Sequence, residues 1–139
     1  MTDAPDPEDL SVGDSAAPYV VEDVDRVDFA KYAGASGDFN PIHVDEPFAR
    51  EAGSPSVFGH GMLTAGFVST YLVDWFGIEN VVRFRTRFEA RLWPGDTVRV
   101  TGEVTDTSTS PTGTTVEVRL TAENGDGDEL VTGDATVEL

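Results

Sequence analysis

The sequence predicts an α+β fold in which an antiparallel sheet wraps around a long buried central helix, and two patterns carry that prediction. Residues 61–76, GMLTAGFVSTYLVDWF, are apolar on every side with Asp74 as their one charge. A helix without a polar face in a water-soluble chain must be covered nearly all round. After Gly77 the pattern switches to alternation of apolar and polar residues in four runs, the period of strands with one face against a core. A sheet with one apolar face and a helix with no polar one share a solution, in which the sheet curls around the helix. The chain has 139 residues, the size of one such domain.

Residues 1–14, MTDAPDPEDLSVGD, are rich in Pro and Asp. They have little to bury and are expected to be a flexible N-terminus, with the folded domain at 15–139. APYVVEDV, 17–24, reads as a first strand. Asp25 or Asp28 can cap the helix that follows, in which Val27, Ala30, Lys31 and Gly34 make a weak apolar stripe. DEPFAREAG, 45–53, reads as a short second helix with Pro47 in its first turn and Gly53 past its end. The buried helix comes next.

Beyond it, Val82, Phe84, Thr86 and Phe88 point one way and Arg83, Arg85, Arg87 and Glu89 the other, until WPGD at 93–96 reverses the chain. Val98, Val100 and Val104 alternate with Arg99, Thr101 and Glu103. Val116, Val118 and Leu120 alternate with Glu117 and Arg119, and Val131, Ala135, Val137 and Leu139 with Thr132, Asp134 and Glu138. The segments between these strands, TDTSTSPTG at 105–113 and ENGDGDE at 123–129, carry the residues of turns. One small domain leaves the flank of the helix and a sheet edge open, so two chains are expected to pair edge to edge as a homodimer.

Charge narrows the partners. There are 26 acidic residues against 9 basic ones, a net charge of −17, and Lys31 is the single lysine. Such a surface repels nucleic acid and anionic membranes. Scarce lysine with arginine retained favours adaptation to a salt-rich cytoplasm, where screening relieves the self-repulsion. The longest apolar stretch is short of a membrane span and no secretory leader is evident, so a soluble cytoplasmic protein is expected. With no cysteine, thiolate chemistry and Cys-based zinc sites are excluded.

The chemistry concentrates in SGDFNPIHVD, 36–45. Gly37 permits a sharp bend, Asn40 can form an Asx-turn, and Pro41 cannot continue a helix. Asp38 and His43 therefore share a rigid loop. Singly, Asp38 is explained as a turn residue accepting backbone N–H bonds, and His43 as a loop histidine donating to a carbonyl. Together on one turn they can contact a single water, as general acid-base work on a small nucleophile requires.

The second feature is FGHGM, 58–62. The Gly61 N–H lies in the first turn of the buried helix, where it is unpaired and can receive a developing oxyanion. Alternatively, Gly59 and Gly61 serve to let the chain enter a crowded core.

GDFNPIHVD, followed by GHGM, an apolar helix and RFRTRFEARLWPGDTVRV, resembles the MaoC-like family of hot-dog-fold proteins, the (R)-specific enoyl-CoA hydratases and related dehydratases. The likeness runs from about residue 17 to the C-terminus, and its centre, G-D-x-N-P-x-H, is specific. It implies that Asp38 and His43 grip the water that adds to a trans-2-enoyl-CoA thioester, that Asn40 holds the loop, and that the Gly61 amide faces the thioester carbonyl. Ser69 and Leu72 are similar to positions lining the family's acyl pocket. His60 is given no catalytic role. No cofactor is implied, and a metal site is not expected with His43 and His60 the chain's two imidazoles.

Arg83, Arg85, Arg87 and Arg91 either receive coenzyme A phosphates or balance carboxylates on an exposed strand face. The rival readings are a dehydratase of a branched or carboxylated hydroxyacyl-CoA, an acyl-CoA thioesterase, and a non-catalytic acyl-binding module.

Overall fold

The computed structural model describes residues 3–139, so positions 1 and 2 of the segment expected to be flexible lie outside the described residues. In the rest of that segment, Pro7–Asp9 form a 3-10 turn capped by Asp6. Leu10 packs against the core, and Gly13 and Asp14 exchange main-chain bonds of 2.8 Å with Val104.

Strand β1 covers Tyr19–Val24 and helix α1 Arg26–Ser36. Asp25 and Asp28 act together rather than as alternatives. Each side chain accepts the other's main-chain N–H, a capping box that satisfies two orphan donors. Helix α2, Glu46–Glu51, is capped by Asp45 and starts with Pro47 in its first turn. Helix α3 spans Gly61–Phe76, with the bounds its apolar run predicts. Strands β2 (Val81–Phe88), β3 (Asp96–Ser110), β4 (Gly113–Glu123) and β5 (Glu129–Glu138) complete the fold.

All five strands form one antiparallel sheet in the order β1-β3-β4-β5-β2. Its inner face, with Val98, Val100, Val104, Val116, Val118, Leu120, Ala135 and Val137, packs on Phe29 from α1 and on Val68, Leu72 and Phe76 from α3. Each fully buried side chain of this size contributes on the order of 1.5–3 kcal/mol. The Tyr71 hydroxyl locks helix to sheet: it accepts the Gly102 N–H at 3.0 Å and donates to the Ala16 carbonyl at 3.2 Å.

Three sequence expectations change. TDTSTSPTG is mostly strand: β3 continues to Ser110, with Asp106–Ser110 in register with Gly113–Glu117 of β4, and the reversal needs Pro111 and Thr112 alone. Cross-strand pairing overrides the turn preference of Ser and Thr. Within one chain α3 is buried along one face, Thr64, Ala65, Val68, Tyr71, Leu72 and Phe76, while Met62 is 58% exposed. Edge strand β2 is largely exposed on both faces, with Val82, Phe84 and Phe88 open on the face expected to meet the core.

Candidate active site

The loop after α1 is built by short side chains bonding their own backbone. Gly37 takes a left-handed conformation, φ +76°, and its N–H returns to the Ala33 carbonyl, ending the helix. Asp38 Oδ1 accepts the Asn40 N–H at 3.2 Å, and Asn40 Oδ1 accepts the Ile42 N–H at 3.2 Å. Two successive Asx-turns thus hold the chain. Pro41–His43 follow as one 3-10 turn, so His43 is fixed on a helical turn rather than an irregular loop.

His43 is buried, and its Nδ1 lies 2.7 Å from the Phe58 carbonyl oxygen. A carbonyl can only accept, so Nδ1 carries the hydrogen and Nε2 holds a lone pair. Burial is the main influence on its titration and lowers the pKa below 6.5. The bond to Phe58 opposes that shift, the nearby His60 adds to it, and the charge of Asp38 opposes it.

One ligating atom each from Asp38, His43 and His60 lies within 4.8 Å of the others. A single water with two hydrogen bonds spans groups up to about 5.5 Å apart. The exposed carboxylate and the buried imidazole are therefore within one water's reach.

His60, assigned no catalytic role from the sequence, belongs to this cluster. It is 2% exposed, and its ring stacks on His43 with centroids 3.8 Å apart at 26°. Its Nε2 donates to the Asp38 carbonyl at 3.0 Å, and Tyr32 packs on it at 4.8 Å. A metal ion on this triad would need lone pairs converging at about 2.0–2.1 Å from both rings. Nearly parallel stacked rings direct their in-plane lone pairs side by side, which suits such a centre poorly.

Gly61 opens α3 directly after His60, so its N–H is among the first-turn donors that lack an intrahelical partner. It lines a cleft of about 290 Å3 together with Phe58, Gly59, Phe88, Glu89, Ala90 and Arg91. The Arg91 guanidinium sits 4.5 Å above the Phe58 ring, whose edge meets His43. Arg91 thus stands at the cleft, whereas Arg83 and Arg85 are both tied to Asp134 of β5 at 3.0 and 2.8 Å. Arg85 and Arg87 border a separate groove on β2 and β5. Ser69 bonds the Gly66 carbonyl and Leu72 is 1% exposed in the core. Neither is among the residues lining the cleft beside Gly61.

The sequence matches the model of the MaoC like domain over residues 12–126. A Rhodospirillum rubrum protein named (R)-specific enoyl-CoA hydratase is 33% identical over 132 residues, covering 94% of this chain and 88% of that one. Peroxisomal multifunctional enzyme type 2 of Mus musculus is 34% identical over 83 residues, and the match spans 58% of this chain but 11% of the mouse protein. Among solved structures, the unliganded R-hydratase from Pseudomonas aeruginosa has a TM-score of 0.82 at 26% identity, covering 94% of this chain and 83% of that one. The (R)-hydratase from A. caviae involved in PHA biosynthesis has a TM-score of 0.80 at 26% identity, over 95% and 98%. Both are likenesses in the hot-dog fold.

Proposed function

This chain belongs to the MaoC-like domain family, and from that footing we propose that it is a hydro-lyase acting on acyl-CoA. It adds water to a trans-2-enoyl-CoA to give the (R)-3-hydroxyacyl-CoA, or runs the reverse dehydration. The observations that carry this reading are an Asp38 carboxylate oxygen and a His43 ring nitrogen within 4.8 Å of one another, with His43 stacked on His60, the residue just before the amide that opens α3.

In this mechanism Asp38 accepts one O–H of the water and orients it. His43 Nε2 accepts the other proton as hydroxide oxygen bonds to C3. The electrons of the double bond move onto the thioester oxygen, where the Gly61 N–H and the dipole of α3 stabilise the charge. The imidazolium then returns its proton to C2 on the same face, and one water has been added. A helix-end donor of this kind lowers such a barrier by about 3 kcal/mol. No proton is left over, because His43 ends as it began.

Asn40 contributes by fixing the loop. Ser69 and Leu72 would border an acyl chain only if it extends past the cleft along α3, and Arg91 is better placed than Arg83 or Arg85 to meet the nucleotide end of coenzyme A, because it borders the cleft while they are tied to Asp134. We further propose a homodimer formed at β2, which ends the sheet order and whose Val82, Phe84 and Phe88 are exposed, Phe88 beside Gly61. Light scattering in molar potassium chloride would contradict this by giving the mass of one chain.

The same salt is the working condition we infer from a net charge of −17, within a salt-rich cytoplasm. No helix among the described residues is long and apolar enough to cross a membrane.

The test is loss of enoyl absorbance from crotonyl-CoA, with chiral analysis of the product. Asp38→Asn and His43→Gln are expected to lower kcat by about 100- to 10,000-fold while retaining the fold. Release of free thiol without loss of the enoyl group would instead make the protein a thioesterase.

A further inference from the structure

His60 touches every part of the machinery without facing the cleft itself. Its ring covers one face of the His43 imidazole at 3.8 Å. Its Nε2–H holds the main-chain oxygen of Asp38, the residue whose carboxylate is assigned above to the water. Its own backbone is the N-cap of α3, one peptide bond from the Gly61 amide.

Three features show that this placement is not incidental packing. His60 is 2% exposed, a depth unusual for a histidine that merely fills space. Its Nδ1 is buried without a hydrogen-bond partner among the described residues, a cost that a phenylalanine at this position would avoid. An N-cap is ordinarily Ser, Thr, Asp or Asn, yet His60 makes no side-chain capping bond. The side chain is spent on the Asp38 loop instead.

We propose that His60 is a positioning residue of the hydration reaction, a buried strut that holds the Asp38 loop, backs the His43 ring and carries the Gly61 amide. The proposal rests on the hydration reading above. The strut explains how a carboxylate on an exposed loop keeps a fixed distance to an imidazole on the next turn. It also biases proton traffic, because a second imidazole at stacking distance opposes a proton on His43. The other ionisable groups around this pair are Asp38 on the loop, Tyr32 on α1 and, across the Phe58 ring, Arg91. Asp38 favours the proton on His43, so the His60 ring and the Asp38 carboxylate act in opposite directions.

Two substitutions separate the parts. His60→Phe keeps an aromatic ring on His43 and loses the donor to Asp38, whereas His60→Gln keeps a donor near the Nε2 position and loses the ring. Each is expected to lower kcat with crotonyl-CoA while leaving KM little changed, and His60→Ala, which loses both, to lower kcat by about 100-fold.

The chain has two histidines, so His60→Phe leaves His43 as the one imidazole signal in an NMR pH titration. Its midpoint is expected to rise relative to wild type, and the acid limb of kcat/KM to rise with it. A purely structural role would lower the melting temperature and leave that midpoint in place. If His60→Phe does not fold, His60→Gln is read by the same two measurements. Wild-type kcat and an unmoved His43 midpoint in the folded variant would overturn the proposal. A wild-type protein that hydrates no enoyl thioester would overturn the hydration reading instead, and the His43 midpoint would still decide whether His60 governs that ring.

Discussion

Replacing Gly61 by proline removes the amide hydrogen assigned to the oxyanion while asking little else of the fold. Gly61 is the first residue of α3, where the N–H has no intrahelical partner and proline is well tolerated. The preceding residue, His60, already has φ −58° and ψ 136°, the extended region that a residue before proline prefers. The steric demand comes from the new Cβ, which would stand 3.1 Å from Cγ and Cδ1 of Phe88. Phe88 is 54% exposed in one chain, and an alanine at position 61 makes the same demand on it.

Gly61→Ala introduces the same Cβ and keeps the hydrogen, so it is the matched control. The ratio of kcat between the two variants reports loss of the donor together with the ring carbons that take the place of its hydrogen, and losing one such donor alone costs about 100- to 1,000-fold, on the order of 2.7–4 kcal/mol. Enoyl absorbance with crotonyl-CoA gives the rates, and thermal melts confirm that both variants are folded. Equal kcat in folded Gly61→Pro and Gly61→Ala would refute the assignment of the amide.

Three further outcomes are expected. Because burial lowers the pKa of His43 below 6.5, the imidazole stays neutral and active below that pH; the acid limb of kcat/KM measured from pH 8 downward should fall below 6.5, and a limb above it would contradict a buried neutral base. Gly59→Ala should destabilise the fold by about 1–3 kcal/mol in urea titration, since its Cβ would lie 2.9 Å from Leu92 and 3.0 Å from Phe29, both buried. Arg91→Ala should raise KM for an acyl-CoA more than Arg85→Ala does, because Arg91 borders the cleft whereas Arg85 is committed to Asp134; the reverse order would move the nucleotide site onto the outer face of β2.

Helix α3 was legible to the residue because an apolar run of sixteen positions with a single charge has one physical reading. The turn that carries Asp38 and His43 was legible for a related reason: the Asp38 and Asn40 side chains each accept the main-chain N–H two positions on. Local bonds leave local signatures. The extent of β3 was not legible, because Thr105–Ser110 become strand through their partners on β4. The fate of the arginines was hidden too, since Arg83 and Arg85 meet Asp134 only when β2 lies beside β5.

By itself the sequence determined the α+β class, the buried helix, and a carboxylate and an imidazole held on one turn, all consequences of residues close together along the chain. Tertiary structure alone decided which nitrogen of His43 keeps its lone pair, because the Phe58 carbonyl that takes the other one's hydrogen arrives from a different segment. It also decided that His60 stacks on that ring and that one face of α3 remains open. A contact between distant segments depends on how helices and sheet pack, and packing energy is shared among many side chains rather than written in any one stretch.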